Sequence, residues 1–150
     1  KVISRAGSRQ PMHAVVGPGF PLVGSGDAVT LRDLMPYPIA LAYPSYGTRQ
    51  LVDAAMLLDK VRLVPAITTN SIAVLKQFAK TGAGFTLLAP LAVAPELESG
   101  ELVAIPVDNP ILQRPETHVV TRIGRMLSPA ANRLLQMLCR RMQQYPSHVA

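Results

Sequence analysis

The sequence predicts an α/β fold built on parallel strands, and three observations carry that prediction. The run from Pro65 to Pro90 reads strand, helix, glycine turn, strand. The run from Ile39 to Lys60, just before it, reads strand, polar loop, helix. Fourteen prolines spread over 150 residues cut the chain into short elements and disfavour a few long helices.

In the first of these runs, Leu63, Val64, Ala66, Ile67 and Thr68 are of strand length and composition. Thr69, Asn70 and Ser71 are helix-capping types placed just before a periodic segment, with Asn70 or Thr69 the expected cap. Ile72, Leu75, Phe78 and Ala79 then recur at helical steps. Gly82 and Gly84 supply the turn, and Phe85 to Ala89 makes the second strand. A strand-helix-strand unit of this length implies a parallel pair. Its loop from Thr68 to Ser71 then lies at the carboxyl edge of the sheet, where ligands collect and where helix N–H groups favour an anion.

Taken in order, Lys1 to Ser4 reads as a strand end and Pro11 to Val16 as a fuller strand. Gly17 to Asp27 is turn-rich. Val29 to Met35 is a short helix with Thr30 as cap and Asp33 three residues on, a capping-box arrangement. Ile39 to Ala42 is a buried strand. Tyr43 to Gly47 is a loop, and Thr48 caps a helix to Lys60 with Leu51, Val52, Ala55 and Leu58 on its apolar face. The two loops, Tyr43–Thr48 and Thr68–Ser71, are thereby expected at one sheet edge. Leu91 to Leu97 is a short helix, Leu102 to Ile105 a strand, Asp108 to Pro115 a linker and Thr117 to Thr121 a strand. Ser128 and Pro129 start a last helix that carries Leu127, Ala131, Leu134, Leu135, Leu138 and Met142 on one face and ends at Pro146.

Composition narrows the function classes. Nearly half of the residues (49%) are apolar, which excludes global disorder. No apolar run reaches the roughly 20 residues that span a bilayer, and no signal peptide is visible, so no membrane partner is expected. The chain begins with Lys1 in a strand-like run and reads as a fragment. The formal charge of +6 is scattered apart from Arg133, Arg140 and Arg141, without the interleaved aromatics of a nucleic-acid groove. Cys139 is the one cysteine and reads as a buried structural thiol. His13, His118 and His148 have no partner at metal-ligand spacing, and neither a nucleophile elbow nor a phosphate loop occurs. Glu96, Glu98 and Glu101 read as a solvated turn. No nucleophile, base and orienter assemble, so an enzyme is disfavoured and neither metal nor cofactor is expected.

The motifs also occur in a familiar order: Phe20-Pro21-Leu22; Val29 to Leu34; Gly47-Thr48-Arg49; Thr69-Asn70-Ser71; Gly82 to Pro90; Gly100 to Val103; Arg125 to Ala131. This series resembles the effector-binding domain of LysR-type transcriptional regulators over almost the whole chain, with Phe20 where that family usually has His and Phe85 where it has Ile. The resemblance implies a periplasmic-binding-protein-like (type II), two-lobed α/β fold, its second lobe (about 1–106) nearly complete and its first lobe (about 117–150) partial. The N-terminal winged helix-turn-helix is then absent from this chain.

It also implies a cytoplasmic regulator, a homodimer or tetramer, that binds a small polar or anionic effector between lobes. DNA would be contacted only through the absent domain. Carried onto these positions, the ligand-binding residues are Pro44, Ser45, Tyr46, Gly47, Thr48, Thr69, Asn70 and Ser71, with Tyr46 as a wall. The alternative on the same fold is a solute-binding protein of an uptake system; a third reading is an enzyme on that scaffold. The coding sequence upstream separates them.

Overall fold

The computed structural model describes residues 1–144. The expected helix stop at Pro146 and His148 lie outside the described residues. The chain divides into two compact units, Pro11–Arg114 and a second made of Lys1–Gln10 with the chain from Pro115 onward.

Pro11–Arg114 is organised on a five-stranded mixed sheet. Its strands are β2 (His13–Val16), β3 (Ile39–Ala42), β4 (Pro65–Thr69), β5 (Phe85–Leu88) and β6 (Val103–Pro106), in the order β4-β3-β5-β2-β6. β3 runs parallel to β4 and β5, whereas β2 runs antiparallel to β5 and β6. The strand-helix-strand run is therefore parallel as expected. Its two strands are not neighbours, however, because β3 is inserted between them.

Alternation of side chains along the strands creates two cores. Ala14, Val16, Ile39, Leu41 and Phe85 face one way, under α1 (Leu31–Leu34), α2 (Gly47–Asp59) and α5 (Pro110–Gln113). Val15, Ala40 and Leu88 face the other, with Leu75 and Ala79 of α3 (Ile72–Lys80), and with Val93 where a 3-10 turn (Pro90–Val93) runs into α4 (Ala94–Ser99).

Local chemistry explains most of the helix starts. Thr30 and Asp33 form the full capping box at α1. Asn109, fully buried, accepts from the N–H groups of Ile111 and Leu112 and donates to the Ala55 carbonyl of α2. That cap makes a helix, α5, of the segment expected to be a linker. Gly84 is required sterically: a Cβ there would lie 2.0 Å from the Pro38 carbonyl oxygen. Met12 N–H donates to the Leu112 carbonyl at 2.8 Å, so the chain enters and leaves this unit side by side.

The second unit is a two-stranded antiparallel ribbon with one helix. β1 (Val2–Arg9) pairs along its length with β7 (Glu116–Arg122), and α6 (Pro129–Gln144) packs with them. Ser128 accepts from the Ala131 N–H, as a cap should. This division differs from the boundary read in the sequence, which grouped 1–106. The β1–β7 pairing, which shifts register once between Ser4 and Ala6, ties Lys1–Gln10 to the chain after Pro115 instead.

Candidate functional site

Parallel pairing of β3 and β4 brings Ala42 opposite Thr69. The turn that follows β3 and the turn that follows β4 therefore leave the sheet side by side, at its carboxyl edge. α2 starts from the first turn and α3 from the second. All eight predicted site residues lie in these two turns or at these two helix starts: Pro44, Ser45, Tyr46, Gly47 and Thr48 on one, Thr69, Asn70 and Ser71 on the other.

The turns are built differently. In the first, the Tyr46 N–H donates to the Tyr43 carbonyl at 3.0 Å, and Tyr46 is the residue that caps α2. Its side chain makes no capping bond, so the first N–H groups of α2 have no side-chain partner there. Thr48, expected as the cap, is instead the second residue of the helix. In the other turn Ser71, and not Asn70 or Thr69, is the cap, its hydroxyl accepting from the Val74 N–H at 3.4 Å. Thr69 Oγ1 accepts from the Ser71 N–H at 3.1 Å. Asn70 is exposed and makes no side-chain hydrogen bond among the described residues. Tyr43 and Tyr46 are both close to half exposed, at 44% and 45%.

Neither helix has an acidic residue in its first turn. The positive ends of both helix dipoles thus remain uncompensated at one edge, which favours an anionic or strongly polar guest. Arg49 was counted among the scattered basic residues, yet its side chain is mostly buried and structural. Its Nη1 donates to the Ala42 carbonyl at 3.0 Å and its Nε to Asp53 at 2.8 Å, fastening the end of β3 to α2. The Arg-to-Asp spacing of four was the sequence signal for that pair. The cavity beneath the turns, lined in part by Ala42, Thr48, Arg49 and Leu75, is about 10 Å³. It holds at most one water, so this cavity is too small for a small-molecule ligand.

His13 begins β2 at the same edge, opposite Leu88 and Pro106. It is buried, and burial lowers its pKa below the ordinary 6.5, partly offset by the bond from its ring to the Pro11 carbonyl at 3.0 Å. His118 lies on the exposed ribbon near Ser4 and Glu116. The glutamates expected to be solvated are partly engaged. Glu96 accepts from Lys76 at 3.1 Å, and Lys80 pairs with Glu101, so charges link α3 to α4 and to the turn beyond it. The hydrogen bonds from these lysines hold both carboxyls below their usual range. Cys139 is half-buried, less enclosed than expected. Among the described residues no three His, Cys, Asp or Glu side chains are grouped to hold a metal, and no helix is long and apolar enough to cross a membrane.

Residues 1–143 match the family model of the LysR substrate binding domain. The chain belongs to that family. As a LysR substrate binding domain it is similar to two transcriptional regulators. One is SsuR of Burkholderia cenocepacia, 31% identical over 128 residues, which are 83% of this chain and 40% of that protein. The other is CbbR of Rhodospirillum rubrum, 31% identical over 110 residues, 73% of this chain and 37% of that protein. The chain thus spans about two fifths of the length of these relatives. Its fold matches the regulatory domain of Synechocystis CcmR in complex with 2-PG, with a TM-score of 0.72 and 20% identity over 98% of this chain and 69% of that one. It also matches the effector-binding domain of QuiR in complex with shikimate, with a TM-score of 0.67 and 14% identity over 97% and 67%. The periplasmic-binding-protein-like α/β expectation for this LysR domain is met at the level of the fold.

Proposed function

We propose that this chain is the ligand-sensing part of a LysR-type, DNA-binding transcription regulator that takes a small polar or anionic effector at the carboxyl edge of its central sheet. Pro11–Arg114 is the second lobe of the effector-binding domain; β1, β7 and α6 belong to the first. The observation that carries the reading is the Ala42–Thr69 register, which sets two uncompensated helix starts next to each other. Ser45, Thr48, Thr69, Asn70 and Ser71 offer hydroxyl, amide and backbone N–H groups. Pro44 and Gly47 shape the first turn, and Tyr46 gives the guest an apolar wall.

The effector is sensed and not transformed, since these groups bind and orient and their hydroxyls have no base among them to activate a nucleophile; no cofactor takes part. To act as a switch, the effector binds one state of the domain more tightly than the other, and the shift in population reaches a winged helix-turn-helix elsewhere in the whole protein. The regulator works in the cytoplasm as a homodimer or tetramer. An apolar groove of about 440 Å³ beside edge strand β4, lined by Ile67, Val74 and Phe78, supports self-association.

The test is a titration of the intact regulator with a panel of small carboxylates and phosphates, shikimate included, followed by calorimetry. In Asn70→Ala the dissociation constant of whichever compound binds rises roughly tenfold, the size of one lost hydrogen bond to a charged group, with no change in thermal stability. Unchanged affinity removes Asn70 from the site.

A further inference from the structure

A second cavity, of about 280 Å³, opens on Pro11–Arg114. Thr30, Arg32, Asp59, Val61 and Asp108 line it, so three parts of the chain meet there: α1, the end of α2, and the link from β6 to α5. α2 starts in the first candidate turn, at Gly47, and ends at Asp59, 13 residues or about 20 Å further on. The cavity and that turn thus lie at opposite ends of one helix.

The walls are fastened to one another. The Val29 N–H donates to the Pro106 carbonyl at 2.9 Å, and the Asp108 N–H donates to the Val29 carbonyl at 2.8 Å, which straps the start of α1 to the continuation of β6. Asn109 ties the same stretch to α2 through the Ala55 carbonyl. Beyond α2 the chain turns sharply, with Lys60 at a φ of 53° and the Val61 N–H donating to the Met56 carbonyl at 3.0 Å.

The charges around this cavity are not matched within the protein. Among the described residues, Arg32, Asp59 and Asp108 form no ion pair with one another or with any other side chain. Asp33, by contrast, is engaged with Thr30. Asp59 also stands at the negative end of the α2 dipole, and no basic residue in the last turn offsets it. Two carboxylates and one guanidinium are therefore left around a single concavity whose size lies at the low end for small-molecule sites. The complementary guest carries two cationic groups and one carboxylate. A carboxylate suits the planar fork of Arg32, and ammonium or guanidinium groups suit the two aspartates.

We infer that this cavity is a second small-molecule site, for a free α-amino acid with a cationic side chain. Its carboxylate sits on Arg32 and its two cationic groups on Asp59 and Asp108. The inference rests on Pro11–Arg114 alone and does not require the effector reading.

The test is equilibrium dialysis of the intact regulator against L-lysine, L-ornithine and L-arginine. At least one binds with a Kd below about 1 mM. Arg32→Gln, Asp59→Asn and Asp108→Asn each weaken that binding about tenfold or more, the size of a lost charged hydrogen bond, with the melting temperature unchanged. Failure of all three amino acids to bind overturns the inference, and so does unchanged affinity in any of the three variants. Binding that is lost in Asn70→Ala and kept in Asp59→Asn assigns the amino acid to the two turns and overturns it as well. A regulator that binds its effector but none of the three amino acids sinks this inference alone. One that binds an amino acid through Arg32, Asp59 and Asp108 but nothing at the turns sinks the effector reading alone.

Discussion

Pro11–Arg114 and the β1–β7–α6 unit treat their apolar residues in opposite ways. In the first, helices close both faces of a sheet, and Phe85, Leu34, Val15 and Leu112 are essentially inaccessible. In the second, Val2, Ile3, Val120 and Met137 remain exposed on a ribbon and one helix. Similar residue types thus carry different weight. In the first unit they make a closed core; in the second they form surface that calls for a covering layer.

The sharpest way to break that contrast is a pair of truncations. Phe85→Ala costs about 3–5 kcal/mol as a core cavity, and Leu134→Ala stays within about 0.5 kcal/mol, both read by denaturant unfolding of this chain. Equal losses would erase the distinction. A second pair uses glycines. Gly84→Ala drives a methyl into the Pro38 backbone and costs about 3 kcal/mol. Gly7→Ala meets only the His118 ring on the ribbon, at 2.8 Å, which swings aside for less than about 1 kcal/mol. Next in size, Asn109→Ala strips α5 of its cap and leaves buried groups unsatisfied, for about 1–3 kcal/mol in thermal melts.

The smallest effect is a pH dependence. The pKa of His13 is depressed by burial, so the stability it permits is complete above pH 6.5 and falls as the pH drops toward its folded value. Melting temperatures at pH 7.5 and 5.5 should therefore converge in His13→Gln relative to the unsubstituted chain. The carboxyls of Glu96 and Glu101 act later, below their ordinary 4.5, and Glu96→Gln should flatten that lower part of the profile.

Much of the closed unit was legible in the sequence because its signals are local. The Thr30–Asp33 box and the two strand–turn–helix units each occupy a few consecutive residues, as does the Ser128 cap in the other unit. The common edge of the two turns also followed from element order alone. What the sequence hid depends on distant partners. From Ser4 to Arg9 β1 is made of polar and small residues with no apolar alternation, so its extension to Arg9 is apparent only from its pairing with β7. Asn109 looked like a loop residue until the α2 carbonyl it reaches was in place. Leu58 fits a helical period yet is exposed, because the buried face of α2 centres on Val52 and Ala55 and extends toward Met56, which packs against the core and accepts from the Leu63 N–H. At the candidate site, Ser71 caps α3 in place of Asn70 because the helix begins one residue later, which residue type alone does not decide.

The hydrogen bond from Met12 to Leu112 has an engineering consequence. Because the chain crosses into and out of Pro11–Arg114 at adjacent points, that segment is a graftable cassette. It should survive excision, closure by a short linker and relocation of its termini to an exposed loop such as that around Gly24 to Asp27.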